Sequence, residues 1–185
     1  MAIQTEIHTR DEFERFADLP ENTERHLEYI DGEIIEMVSN SESSTIGNLI
    51  SAYITLFARQ HHLGFVTGSD GGYRVNGQDL MPDVGFIGAA KQSTRPIHTW
   101  IPNAPDLVVE VLSPTDPATA VFRKIRHYLI AGTVVWLVDP EETITIHQPG
   151  APNTQQTYGV GDTLDGGDVL PGFTLALAEV FDANP

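Results

Sequence analysis

Apolar residues recur at Ile46, Leu49, Ile50, Tyr53, Ile54 and Phe57. That is the spacing of one helical face, and it predicts a helix over about 44–61 that Gly64 stops. Leu107-Val108-Val109-Glu110-Val111-Leu112 is apolar at every position but one, as in a central strand covered on both faces. Val134-Val135-Trp136-Leu137-Val138 is a second buried strand, closed by Asp139-Pro140. Between them, Ser113-Pro114-Thr115-Asp116-Pro117 predicts a helix start, with Asp116 as N-cap and Pro117 at the first helical position. That helix extends to about Ala131, where Gly132 suits its end. Strand, helix and strand at this spacing form a βαβ-like crossover.

Shorter signals fill in the rest. Thr9-Arg10-Asp11-Glu12 fits a capping box for a helix to about Ala17. Leu27 to Met37 reads as a β-hairpin around Asp31-Gly32, because that pair supplies the positive φ values of a type I′ turn. The polar run Ser39 to Ser44 is a connection. Phe65 to Gly68 and Gly72 to Val75 read as extended partners, followed by a strand from Met81 to Ile87 and a loop from Ala89 to Ala104. The tail adds short strands at Ile144–His147 and Thr157–Val160, a Gly-rich turn and a helix near Leu177–Phe181. No repeat or linker divides the chain, so residues 1–185 are expected to form one domain.

Composition narrows the function classes. With 41% apolar residues and 16 Gly and 12 Pro spread along it, the chain is neither disordered nor a coiled coil. No apolar run approaches the roughly 20 residues of a membrane span. The N-terminus lacks the basic and apolar segments of a secretory signal, which makes the cytoplasm the expected compartment. Without cysteine, any metal site must draw on Asp, Glu or His. No two histidines stand at the helical i, i+4 spacing of a zinc hydrolase, and His61-His62 suits a helix end. Ten Lys and Arg face 26 Asp and Glu, a net charge of −16. Such a chain repels polyanions at long range, so binding nucleic acid demands a local basic patch or bound cations.

Three residues stand out against this background. Glu110 sits in an apolar strand, where an ionised carboxyl loses several kcal/mol of hydration unless a cation or donors replace the water. A structural ion pair or a protonated carboxyl would meet that need, as would a functional site. Asp83 opens the neighbouring apolar strand, a place that also suits a turn residue. If the two strands are adjacent, both acids face one sheet edge, where like charges share a proton or a divalent cation. Oxygen donors with waters suit Mg²⁺ or Mn²⁺. Lys124, one of only two lysines, shares a helical stripe with Val121 and Tyr128 near the apolar face. From there it can reach the sheet and activate a water or neutralise a phosphoryl oxygen. A solvated basic face is the plainer reading of Arg123, Lys124 and Arg126 together, and the two arginines could instead hold a phosphate backbone. Trp100, in a proline-flanked loop, is a lid or a packing residue.

Several motifs now occur in order: Glu28-Tyr29-Ile30-Asp31-Gly32-Glu33, Pro82-Asp83-Val84, Pro105-Asp106 through Ser113-Pro114, and Lys124 with Tyr128 and Gly132. Trp136 to Pro140 and Leu170-Pro171-Gly172-Phe173 follow. Together they resemble the Uma-two family of restriction-endonuclease-like proteins, a branch of the PD-(D/E)XK nuclease superfamily, over about Glu28 to Phe181. The resemblance implies an α/β, restriction-endonuclease-like core: a mixed central β-sheet flanked by α-helices, with an N-terminal β-hairpin and a small C-terminal β extension. It implies a Mg²⁺- or Mn²⁺-dependent endonuclease acting on DNA, with Asp83 and Glu110 as metal ligands and Lys124 as the catalytic lysine. The superfamily usually carries that lysine two residues after the second acid, where this chain has Leu112. The acid the superfamily often takes from its first long helix is missing, leaving Glu42, Glu28 or Glu33 to substitute. Tyr128 is a further auxiliary candidate, Arg123 and Arg126 are candidates for DNA contact, and a homodimer is expected. Two readings compete with the endonuclease: a catalytically inactive interaction module with a nuclease fold, and a hydrolase of smaller phosphate esters.

Overall fold

The computed structural model describes residues 8–37, 40–114, 117–151 and 154–182. Its centre is a six-stranded sheet. Strands β6 (Val84–Gly88) and β8 (Leu107–Val111) pair antiparallel, and β8 runs parallel to β9 (Val134–Asp139). Strand β3 (Gly64–Thr67) forms one edge beside β6, while β10 (Thr143–His147) and β11 (Gln155–Gly159) extend the other. Parallel neighbours cannot be joined by a tight turn, and the crossover is helix α3 (Ala118–Ile130). The βαβ unit predicted from residues 107–138 is therefore present, inside a mixed sheet.

Alternation along these strands separates two apolar layers. Leu107, Val109 and Val111, with Phe86, Trp136 and Val138, face helix α2 (Ser41–Gln60) and the C-terminal Phe173, Leu175 and Leu177. Val108, Ile87 and Val135 face the opposite way, against Ile125 and Tyr128 of α3. Glu110 has the parity of Val108, so the pleat aims it at α3 and away from the larger core. A small pair, β12 (Thr163–Asp165) with β13 (Thr174–Ala176), and helix α4 (Ala178–Phe181) close the first layer.

The N-terminal hairpin is part of a second sheet and not an appendage. Strands β1 (Leu27–Ile30) and β2 (Glu33–Glu36) join β4 (Gly72–Val75), β5 (Gln78–Leu80) and β7 (Trp100–Ile101) in the order β2-β1-β5-β4-β7. Asp31 and Gly32 have φ of 52° and 88°, as the predicted turn requires. The expected pairing of 65–68 with 72–75 does not occur. Instead β4 folds back on β5 through Asn76-Gly77, at φ of 48° and 81°, and β3 crosses to the central sheet. The loop expected over 89–104 contains β7, whose Trp100 packs edge-on against Phe13 at 5.8 Å between ring centroids. That identifies Trp100 as a packing residue.

Helix α1 (Arg10–Ala17) carries the complete capping box on Thr9 and Glu12. Its Arg10 donates from Nε to Oδ2 of the buried Asp79 at 2.9 Å and also bonds Oδ1, tying the helix to β5. Helix α2 begins three residues earlier than apolar periodicity indicates. Asn40 is its cap, accepting from the Ser43 backbone N–H at 2.9 Å, and Glu42 falls within the first turn. On α3 Pro117 is the N-cap and not the first helical residue; the Asp116 expected as cap lies outside the described residues.

Candidate active site

Four side chains from three elements, Glu28 of β1, Glu110 of β8 and Lys124 and Tyr128 of α3, meet on the α3 side of the central sheet, and Asp83 stands at the sheet end beside them. Glu110 is at the fourth position of β8, with Lys124 and Tyr128 one turn apart on α3 above it. The Lys124 ammonium lies 2.9 Å from Glu110 Oε2 and 3.0 Å from Glu28 Oε1. Tyr128 donates its hydroxyl proton to Glu110 Oε1 at 3.0 Å, and the Met81 N–H donates to Glu28 Oε1 at 2.6 Å. Asp83, just before β6, accepts from the Val111 N–H at 2.7 Å, which fixes its carboxyl at the end of the strand pair. Asp83, Glu110 and Lys124 line one cavity of about 90 Å³, with His26, Met81 and Ser113 also in its wall.

The electrostatics follow from burial. Glu28 and Lys124 are 0% and 2% exposed, Glu110 is 9% exposed, and Asp83 is half-buried. Water therefore reaches the cluster from the Asp83 side. Burial raises the Glu110 carboxyl above its ordinary value; Lys124 opposes the shift, and Asp83 and Glu28 add to it. Burial alone would lower Lys124, but Glu110 and Glu28 together hold it well above the usual lysine range, so it stays charged. Tyr128 is likewise pushed far up by burial and by Glu110, which keeps it a neutral donor. Three carboxyl groups, those of Glu28, Asp83 and Glu110, gather around a single ammonium, and the raised Glu110 keeps its proton more readily than an ordinary carboxyl does. Glu28 Oε2 is buried and accepts no hydrogen bond.

The donor set can be compared with the needs of a hard cation. Among the described residues no three His, Asp or Glu side chains converge as a ready-made cage. Mg²⁺ does not need one, since it keeps several waters and takes one or two carboxylates together with substrate phosphates. The carboxyl oxygens of Asp83 and Glu110, both lining the cavity, are hard donors that fit that requirement.

Other sequence candidates lie elsewhere. Glu33 is on β2, bonded to Arg123 at 2.6 Å, and Arg126 pairs with Asp31 at 3.2 Å. Glu42 is exposed on α2 and does not line the cavity. Of the substitutes for the missing helix acid, Glu28 is the one beside the lysine. His26 was not among the sequence candidates. Its signal was position: it precedes Glu28 by two residues, the period of a strand face.

Comparison with known proteins follows the same lines. No curated protein matches this chain. The fold is similar to the crystal structure of a protein from Anabaena variabilis described as a putative nuclease belonging to DUF820. The TM-score is 0.76 at 21% identity, over 84% of this chain and 89% of that one. The architecture is thus the restriction-endonuclease-like α/β fold. The Uma2 family, described as "Putative restriction endonuclease", matches residues 11–178. With nearly its whole length matched and its fold in agreement, the chain belongs to the Uma2 family.

Proposed function

We propose that the protein is a metal-dependent endonuclease that hydrolyses DNA phosphodiester bonds, working as a dimer in the cytoplasm. The observation that carries this reading is the convergence of Asp83, Glu110 and Lys124 on one cavity. A bound Mg²⁺ or Mn²⁺ would supply an activated water and charge stabilisation on the phosphoryl oxygens. Asp83 and Glu110 would hold it. The Val111 N–H orients Asp83, and the Tyr128 hydroxyl orients Glu110. Lys124, clamped between Glu28 and Glu110, presents a fixed positive charge to the non-bridging oxygens or to the attacking water, which costs no reorganisation during the reaction. Glu28 positions the ammonium and sets the local charge.

Nicking of supercoiled plasmid in Mg²⁺ or Mn²⁺ tests the reading. Native protein is expected to nick, and Asp83→Asn and Glu110→Gln to lose at least about a hundredfold in rate. Equal nicking by all three proteins would assign the activity to something else. Sedimentation at tens of micromolar, expected to give a dimer, tests the assembly; monomer alone would oppose it. The net charge of −16 favours the rival reading of an inactive interaction module. Against that rival stands the opening of the buried Lys124–Glu110 pair, with Asp83, onto a cavity, where a purely structural pair would be sealed in the core.

A further inference from the structure

Arginine and lysine are scarce in this chain, so their partners are informative. Arg10 and Arg74 bind Asp79 and Glu14, Arg25 binds Glu36, and Lys91 binds Asp106 at 2.8 Å. Arg123, Lys124 and Arg126 are neutralised as described above. Among the described residues only Arg15, Arg59 and Arg95 enter no ion pair, and Arg15 bonds the Asp11 backbone carbonyl. Arg59 and Arg95 are both exposed and line the same groove, of about 910 Å³, together with His62, Thr55, Thr67 and Ser93. Among the described residues no acidic side chain lines that groove, although the chain has 26 acids.

The groove also points at the cavity. One wall is β3, the edge strand of the central sheet, ending at Thr67. Ser69, two residues further on, is in the wall of the cavity that holds Asp83 and Glu110. Two residues span at most about 7 Å, so the end of the groove adjoins the rim of the cavity.

We infer that the groove is the track for the phosphodiester backbone of a DNA substrate, Arg59 and Arg95 each carrying one phosphate on the approach to the cavity. The inference rests on the nuclease reading for the identity of the ligand. It gives the acidic chain its local basic footprint, and it assigns backbone contact to these two arginines in place of Arg123 and Arg126, whose charges are already met by Glu33 and Asp31.

The experiment is binding of a labelled mixed-sequence DNA duplex across a salt series in metal-free buffer, where no hydrolysis interferes. Each phosphate contact contributes about 0.9 to the slope of log affinity against log salt. Arg59→Ala/Arg95→Ala is expected to flatten the native slope by about 1.8, so that the variant loses about tenfold less affinity than native protein between 50 and 200 mM salt. Both side chains are exposed and unpaired, so the variant should fold normally. Arg123→Ala/Arg126→Ala removes equal charge and is expected to leave the slope nearly native. Equal slopes for native protein and Arg59→Ala/Arg95→Ala would overturn the inference, as would equal flattening by both double variants or no duplex binding at all. Groove-dependent binding without nicking would keep the inference and defeat the nuclease reading; nicking with unchanged slopes would do the reverse.

Discussion

Lys124 is the residue on which the site balances. Its ammonium is sealed between Glu28 and Glu110. Removing one partner of a buried ion pair strands the other charges, at a cost of about 3–5 kcal/mol. Lys124→Met should therefore unfold at markedly lower urea, and adding Glu28→Gln should recover part of the loss; unchanged stability in Lys124→Met would show that the ammonium is not buried there. Glu110 makes a separate prediction through pH. Its folded carboxyl is raised by burial, against Lys124 and with Asp83 and Glu28, so it holds its proton more tightly than in the unfolded chain. Stability is then greatest below the ordinary carboxylate range and falls as pH rises through the raised value. His147, lowered by burial, works in the opposite sense, but it is common to both proteins and cancels in their difference. Between about pH 5 and 8 the thermal midpoint of native protein should fall relative to that of Glu110→Gln. Parallel midpoints would mean that Glu110 is ordinary.

At the scale of elements, the site depends on two sheets pressed together. Gly85 is in β6, two residues after Asp83, and a Cβ there would stand 2.5 Å from the ring of Tyr73, which is 0% exposed. Gly85→Ala should cost about 1–3 kcal/mol by overpacking and disturb Asp83 with it. Denaturant unfolding at the native midpoint would deny the close approach of the sheets. Elements specified by neighbouring residues were readable in the sequence: the Thr9 capping box, the Asp31-Gly32 turn, and the apolar strands around α3. Asn76-Gly77 carries the same local turn chemistry, yet the following Gln78-Asp79-Leu80 is too short and too polar to read as a strand on its own. The start of α2 was hidden because Asn40 to Thr45 has no apolar periodicity. Partner choice was harder still, since β3 and β4 are close in sequence and belong to different sheets. Glu28 is buried only because the second sheet packs on the first, and Arg123 meets Glu33 only because the hairpin docks beside α3. Neither contact leaves a mark in local sequence.

For the whole molecule, the balance of −16 is a statement about distribution as much as amount. Most described cations are locked to acids, two remain beside a groove that no described acid lines, and three carboxyl groups gather around one ammonium at the cavity. No helix among the described residues is long and apolar enough to cross a membrane. The fold class was legible through the ordered motifs and the family they resemble, and Asp83, Glu110 and Lys124 stood out as candidates because a carboxylate inside an apolar strand and a lysine near an apolar helix face are conspicuous. The charge balance around them was not legible, because it depends on which distant side chains the fold brings in. The cavity shared by Asp83, Glu110 and Lys124 carries the functional claim, and calorimetric titration with Mn²⁺ probes it directly. The expected result is one binding event per native chain, lost in both Asp83→Asn and Glu110→Gln. No heat from native protein, or the same isotherm from all three, would contradict the account.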